Sequence, residues 1–225
     1  MLCQFTSFNE HVIIFCIESM IFMFFLIKRI IDITFGIIGV VILIPLSVII
    51  KIIFLLTGDF DNIFFVQNRV GKNGKIFRLY KFRTMVVGAE KMLDELLKNH
   101  DYNIEYNCSY KIKKDPRLTK VGIILRKTSL DEFPQFINIL IGNMSLVGPR
   151  PVIEKEIFMF KEYKDIILSV KPGLFGNWVI NGRNNLSYDE RVACEVFYVK
   201  NRSIFLDFKI IFKTIICVIK RTGVF

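Results

Sequence analysis

The chain has 225 residues, 52% of them hydrophobic, and a formal net charge of +10. The apolar share lies above the roughly 45–50% of ordinary globular chains, which excludes a disordered or collagen-like protein. A chain both this apolar and this basic fits attachment to a membrane with the charged mass on the cytoplasmic side. The two features are segregated. The first 57 residues hold Lys28, Arg29 and Lys51 against Glu10, Glu18 and Asp32, so the whole excess charge falls on residues 58–225. The composition predicts a hydrophobic extension over 1–27, an apolar helix over 28–57 and a basic body over 58–225.

From the amino terminus, Val12–Ile27 is an apolar run interrupted by Glu18. No Lys or Arg stands in residues 1–11, so the run lacks the basic front of a signal peptide. It reads as an extra interfacial or spanning helix. Ile30–Leu56 is apolar apart from Asp32, Thr34, Ser47 and Lys51. At about 1.5 Å per residue it is long enough for a bilayer core of about 30 Å. Lys28-Arg29 at one end and the basic body at the other put both ends on the cytoplasmic side by the positive-inside rule. Pro45, near the middle, removes a helix hydrogen bond and favours a bend. The expectation is a re-entrant helix broken at Pro45 rather than a full span.

In the body, Ile63–Val70 and Ile76–Phe82 read as strands. Asn73-Gly74 between two apolar runs predicts a hairpin. Lys81 and Arg83 alternate with Tyr80 and Phe82 and so share one side of the second strand. The polar stretch 88–114 suggests a short helix around Glu90-Lys91 and Asp94-Glu95 and offers no chemistry. Ser129 followed by Glu132 has the capping-box spacing, which predicts a helix from there to a stop at Gly142-Asn143. Phe133, Phe136, Ile137 and Leu140 would be its buried stripe. Asp131 would lie in the first turn, where backbone N–H groups and the helix dipole keep a carboxylate ionised and also favour a phosphate.

Further on, Pro149 and Pro151 fix the backbone on both sides of Arg150 and present a guanidinium suited to bidentate phosphate binding. Lys171–Gly176 reads as a turn leading to Trp178 and to Asn181-Gly182-Arg183-Asn184. Ile204–Ile219 predicts an amphipathic helix with Lys209 and Lys213 on one face, which suits an anionic membrane surface and the body's own core equally. The five cysteines form no CxxC pair and the histidines number two. A zinc site, a disulfide framework and a Ser-His-Asp mechanism therefore lack support, and reduced cytoplasmic thiols are the simpler reading.

Lys28-Arg29 with Asp32, the apolar helix, Asn68-Arg69-Val70-Gly71, Tyr80-Lys81-Phe82-Arg83-Thr84-Met85, the Arg126–Pro134 run, Gly148-Pro149-Arg150-Pro151 and Gly182-Arg183-Asn184 occur in that order. Together, over about residues 28–220, they resemble the bacterial sugar transferases, the small monotopic polyprenyl-phosphate phosphoglycosyl transferases. The resemblance implies an α+β, mainly helical fold. In it a re-entrant membrane helix precedes a small cytoplasmic catalytic domain with a β-hairpin and amphipathic interfacial helices. It implies transfer of a sugar-1-phosphate from a UDP-sugar to a polyprenyl (undecaprenyl) phosphate with release of UMP, on the cytoplasmic face of the bacterial inner membrane. Asp131 matches the family's nucleophile, and Glu132 its partner in magnesium binding or proton handling, so both are the expected Mg2+ ligands. Lys28, Arg29 and Pro45 match the membrane helix, although Ile44 stands where the family often has Ser.

Two phosphate-bearing substrates need neutralising cations. Arg126 and Arg150 are expected on the phosphates, with Lys81, Arg83 and Arg183 and the flanking Pro149 and Pro151 in support. The implied partners are the nucleotide sugar, the polyprenyl phosphate and the membrane, with a homodimer left open. One rival reading is a non-catalytic membrane-bound adaptor of a polysaccharide assembly complex, which needs no conjunction of Asp131, Glu132, Arg126 and Arg150. Another is a nucleic-acid binder. No nucleic acid is expected, because the cations sit in separate short motifs outside any DNA- or RNA-binding module.

Overall fold

The computed structural model describes residues 2–109, 112 and 114–220, apart from the side chains of 2–17, 105, 107–109 and 184. The side chains of Cys3, His11, Cys16, Cys108 and Asn184 lie outside the described residues. Cys194 and Cys217 are free thiols.

The chain opens with α1 (Leu2–Leu56), a helix of 55 residues that continues across the expected 27/28 boundary and through Pro45. Within it, Glu18–Leu56 is long and apolar enough to cross a membrane. Its two faces differ. Asp32, Gly36, Gly39, Leu43, Ile50 and Phe54 are buried against the body, a stripe with the three- and four-residue spacing of one helix face. Opposite them, Ile33, Ile37, Val41, Ile44, Val48 and Ile52 are between 37% and 65% exposed.

As the Asn-Gly signal predicts, β1 (Phe64–Val70) and β2 (Ile76–Phe82) form an antiparallel hairpin with Phe64 opposite Phe82 and Val70 opposite Ile76. The Gly71 N–H closes the turn on the Lys75 carbonyl at 2.8 Å. Asn73 (φ 56°) and Gly74 (φ 75°) take the left-handed backbone that these two residue types tolerate. Two helices follow, α2 (Ala89–Leu96) and α3 (His100–Ser109), and then α4 (Lys120–Thr128), capped by the Thr119 side chain on the Gly122 N–H. A Cβ on Gly122 would lie 1.9 Å from the Thr84 carbonyl oxygen. Only glycine lets α4 press so closely on the backbone after β2.

The expected capping box at Ser129 does not form. Ser129 ends α4 in a left-handed conformation (φ 57°, ψ 16°) without a side-chain cap, and Leu130–Glu132 is a separate 3-10 turn. Pro134, lacking an N–H, cannot continue a helix begun at Leu130. The next helix, α5, therefore spans only Gln135–Ile141 and stops at Gly142 (φ 92°), where the sequence predicts. Its deeply buried side is Gln135, Asn138 and Ile139, whereas Phe133, Phe136, Ile137 and Leu140 are half-buried. The predicted stripe is thus displaced, because α5 is covered on two sides. Phe133 and Ile137 pack with α1 residues, and Asn138 clasps β2. The Asn138 Oδ1 accepts the Tyr80 N–H at 3.0 Å and its Nδ2 donates to the Arg78 carbonyl at 2.6 Å.

Beyond α5, β3 (Ser145–Val147) is followed by a 3-10 segment over Glu154–Tyr163, α6 (Lys164–Leu168), and β4 (Gly173–Phe175), which pairs parallel with β3 where the sequence suggests only a turn. Then come α7 (Asn177–Ile180), α8 (Tyr188–Asn201) and α9 (Ile204–Ile219). The real capping box lies at the start of α8, between Ser187 and Glu190. The bounds of α9 match the prediction, and one of its faces packs on the body's core. It buries Asp207, Ile210 and Thr214 while Phe205, Phe208, Phe212 and Ile219 stay at least half exposed. Phe77, Leu79, Ile139, Met144, Leu146, Tyr198 and Ile210 form the main core.

The polar residues of α1 join it to that core. Lys28, expected at a membrane boundary, turns inward and donates to the Val147 carbonyl at 3.1 Å, Tyr198 Oη at 3.2 Å and Asp207 Oδ2 at 2.5 Å. Arg29 donates to two carbonyls in the last turn of α5, Ile139 and Leu140, both at 2.9 Å, where helix carbonyls run short of intrahelical partners. Asp32 accepts the Leu146 N–H at 2.8 Å and the Ser145 hydroxyl at 3.0 Å.

Candidate active site

Asp131 and Glu132 stand on the 3-10 turn between α4 and α5, held there by the left-handed Ser129. A non-glycine residue in that region costs about 1–3 kcal/mol and persists where its surroundings fix it. Here the surroundings include a second left-handed residue, Arg183 (φ 54°), whose Nη2 donates to Ser129 Oγ at 3.1 Å. The Gly182-Arg183 turn is thereby brought onto the dyad's own turn.

The two carboxylates have different environments. Asp131 is 9% exposed. Burial pushes its carboxyl up, Glu132 adds to this, and Lys81 and Arg126 oppose it. With a pKa of about 6, Asp131 is harder to ionise than an ordinary carboxylate because its site is dry, yet it still ionises below neutral pH. Glu132 is also pushed up by desolvation, but its side chain is 35% exposed, and Lys81, Arg150 and Arg183 outweigh that and hold it well below the usual range. Lys81 Nζ donates to Glu132 Oε1 at 3.1 Å. A pair whose members are pushed apart supplies one fixed anion and one more basic, more nucleophilic carboxylate.

Cations converge on the dyad from four elements. Lys81 comes from β2 and Arg126 from α4, where its Nε donates to Thr84 Oγ1 at 3.1 Å. Arg183 comes from its turn. Arg150 comes from the loop after β3, with its guanidinium carbon 5.5 Å from the centre of the Trp178 ring. Pro149 and Pro151 hold that loop through their carbonyls. Pro149 accepts the Gly173 N–H at 2.8 Å and Pro151 accepts from Arg69 Nη1 at 3.3 Å. Arg83 does not join the cluster. Its donors go to Asp59 Oδ1 (2.7 Å), the Asn62 carbonyl (2.6 Å) and the Met85 carbonyl (3.1 Å), so it ties the hairpin to the segment that follows α1.

The sequence reading assigned no role to three nearby charged residues. Arg69 belongs to the Asn68–Gly71 motif. Burial lowers its pKa to about 10, and repulsion from Arg150 adds to this. Arg191 faces the Trp178 ring at 4.8 Å. Glu195 accepts the Arg150 N–H at 3.0 Å. The last two are lone charges in an ordinary helix and carry no sequence signal. Asp115 and Arg117 form a buried pair at 2.6 Å, which the Asp-Pro-Arg spacing could have suggested.

Four buried guanidinium nitrogens here lack a hydrogen-bond partner: Arg69 Nε, Arg150 Nε, Arg183 Nη1 and Arg191 Nε. Unspent donors beside a carboxylate dyad suit an anionic ligand rich in acceptor oxygens. Among the described residues, no three His, Cys, Asp or Glu side chains gather as a metal cage. Two neighbouring carboxylates do fit the way Mg2+ is usually held, by one or two protein acids with phosphate oxygens and water completing the shell.

A family profile described as bacterial sugar transferase matches residues 23–221. The chain is 42% identical over 199 residues to the undecaprenyl-phosphate galactose phosphotransferase of Salmonella typhimurium, covering 88% of this chain and 41% of that protein. It is 42% identical over 201 residues to an uncharacterized sugar transferase of Haemophilus influenzae, covering 89% and 42%. It is 41% identical over 189 residues to the exopolysaccharide production protein ExoY of Sinorhizobium fredii, covering 84% and 83%. The chain thus spans about two fifths of the first two relatives and most of the third.

Proposed function

The chain belongs to the bacterial sugar transferase family, and we propose that it moves a sugar-1-phosphate from a UDP-sugar to a polyprenyl phosphate, releasing UMP. This would begin the assembly of an exopolysaccharide, capsule, O-antigen or other glycan at the cytoplasmic face of the bacterial inner membrane. In the first step an Asp131 carboxylate oxygen attacks the donor phosphorus that carries the sugar. The bond from that phosphorus to the bridging oxygen breaks, and UMP leaves with the oxygen. In the second step an oxygen of the polyprenyl phosphate attacks the same phosphorus, and the Asp131 carboxylate is restored. Two displacements at one phosphorus predict ping-pong kinetics.

The observation that carries this reading is the dyad itself: a dry, more basic Asp131 beside a firmly ionised Glu132, ringed by Lys81, Arg126, Arg150 and Arg183. The cations would neutralise the charge of the transferring phosphoryl group. Mg2+, held by Asp131 and Glu132, would supply further neutralisation of the donor phosphates. Similarity to the undecaprenyl-phosphate galactose phosphotransferase supports undecaprenyl phosphate as acceptor and a galactose-type donor. The helix seam supports a monotopic arrangement, although α1 runs through Pro45 without the expected break. The body packs on α1 from Lys28 to Phe54, roughly 40 Å of helix at 1.5 Å per residue, so both ends of the apolar run stay beside the basic body. The exposed apolar stripes of α1 and α9 would face lipid.

Membranes containing the protein, incubated with a panel of radiolabelled UDP-sugars, test the reading. Lipid-linked label with at least one donor, falling by roughly 10³-fold or more in Asp131→Asn, is the expected result. Absence of label with every donor, from a folded protein, would favour the non-catalytic adaptor.

A further inference from the structure

We propose that Glu195, on α8, is a positioning residue that sets the Arg150 loop for donor phosphate binding, acting through Arg150 and touching no substrate. The inference rests on the phosphate role given to Arg150 above. Prolines at 149 and 151 leave the loop Gly148–Pro151 only two backbone N–H groups. The Gly148 N–H goes to the Phe175 carbonyl at 3.0 Å, within the β3–β4 pairing. The Arg150 N–H goes to Glu195 Oε1 at 3.0 Å. The residue that presents the guanidinium is therefore held by one side-chain carboxylate, from a helix 45 residues further along the chain.

That carboxylate is 2% exposed, and burial pushes it up to about 7 against the pull of the Arg150 N–H, Arg191 and Arg150. An acid in so dry a position is costly unless its partners need it. Its Oε1 accepts the Arg150 N–H, its Oε2 is buried without a hydrogen-bond partner, and the Arg191 and Arg150 guanidiniums attract it through space. Arg191 lies four residues before Glu195, so the two share a face of α8. Both guanidiniums lie against Trp178, at 5.5 Å and 4.8 Å. Burial lowers the Arg191 pKa, and repulsion from Arg150 adds to this. With Glu195 gone, the Arg150 N–H loses its acceptor and the two guanidiniums lose the carboxylate between their elements. The cavity between Arg150, Tyr188, Arg191 and Glu195 is only about 10 Å³, so the loop and α8 are closely packed here.

A double-mutant cycle on the detergent-solubilised full chain, read as UMP affinity by calorimetry, tests this. Thermal unfolding is followed in parallel. Arg150→Ala and Glu195→Ala should each weaken UMP about tenfold, and the double variant should be no weaker than Arg150→Ala alone, because interacting residues are not additive. Glu195→Gln keeps an oxygen acceptor for the Arg150 N–H and should lose less than Glu195→Ala. With an active UDP-sugar, the Glu195 variants should raise KM more than they lower kcat. If Glu195→Ala does not fold, the same cycle is run with Glu195→Gln, and the same non-additivity is expected. Equal losses from the Glu195 change with and without Arg150 would overturn the inference while leaving the proposed function standing. Arg150→Ala binding UMP as tightly as the wild type would instead remove the phosphate role of Arg150 on which the inference rests.

Discussion

Lys28 and Arg29 on α1 differ from Arg69, Arg150 and Arg183 around the dyad in how their donors are used. Lys28 makes three hydrogen bonds, one of them to Asp207 at 2.5 Å, and Arg29 closes the end of α5 through two carbonyls. Each of the three arginines near the dyad keeps a buried nitrogen without a partner. Both groups are basic and both sit in sequence motifs of the family. The difference shows that a cation next to an apolar helix can be wholly structural. A partly buried cation with donors left over is the better candidate for a ligand contact, since a buried polar group without a partner costs about 1–3 kcal/mol.

The largest effect that could break this contrast is at Lys28. Lys28→Met leaves Asp207 in the interior with the Tyr198 hydroxyl as a donor but no cation, and loss of one partner of a buried pair costs about 3–5 kcal/mol. Thermal unfolding in detergent should show that loss, while UMP affinity of the folded fraction stays near the wild-type value. Unchanged unfolding with weakened UMP binding would make Lys28 a site residue and dissolve the contrast.

Lys81→Met should do the reverse. Its pair with Glu132 is partly exposed, 21% and 35%, so stability should move by about 1 kcal/mol or less. Loss of the cation beside both carboxylates should lower kcat on the order of 10²-fold, as for removal of other preorganised electrostatic groups. A large drop in stability with normal kcat would place Lys81 with the structural cations.

A smaller effect concerns pH. Burial raises Asp131, so its protonated form persists to higher pH than for an ordinary carboxylate, near 4. Only the ionised form attacks, so kcat/KM for the donor should fall on acidification through a value clearly above 4. A profile flat down to pH 4 would mean that Asp131 is not dried by its surroundings.

The hairpin was legible because Asn73-Gly74 must take positive φ, and α9 because its apolar residues and Lys209 and Lys213 recur at helical spacing. The dyad was legible as a motif but its chemistry was not. The Ser-x-x-Glu rule chose Ser129, where Pro134 prevents the helix, and passed over Ser187-Tyr188-Asp189-Glu190, where the box forms. The β3–β4 pair, three residues each, is too short for a periodic signal. Arg191 and Glu195 became visible only when α8 packed against the Arg150 loop. The inward turn of Lys28 and Asp32 depends on residues more than 100 positions away, beyond the reach of local pattern.

The most direct measurement is a donor-only reaction of the purified protein with an active UDP-sugar, followed by UMP release and by mass spectrometry of the peptide holding Asp131. A covalent route through this side chain predicts UMP in an amount equal to the enzyme and a phosphosugar adduct on that peptide. UMP released only when polyprenyl phosphate is added, with no adduct, would contradict it.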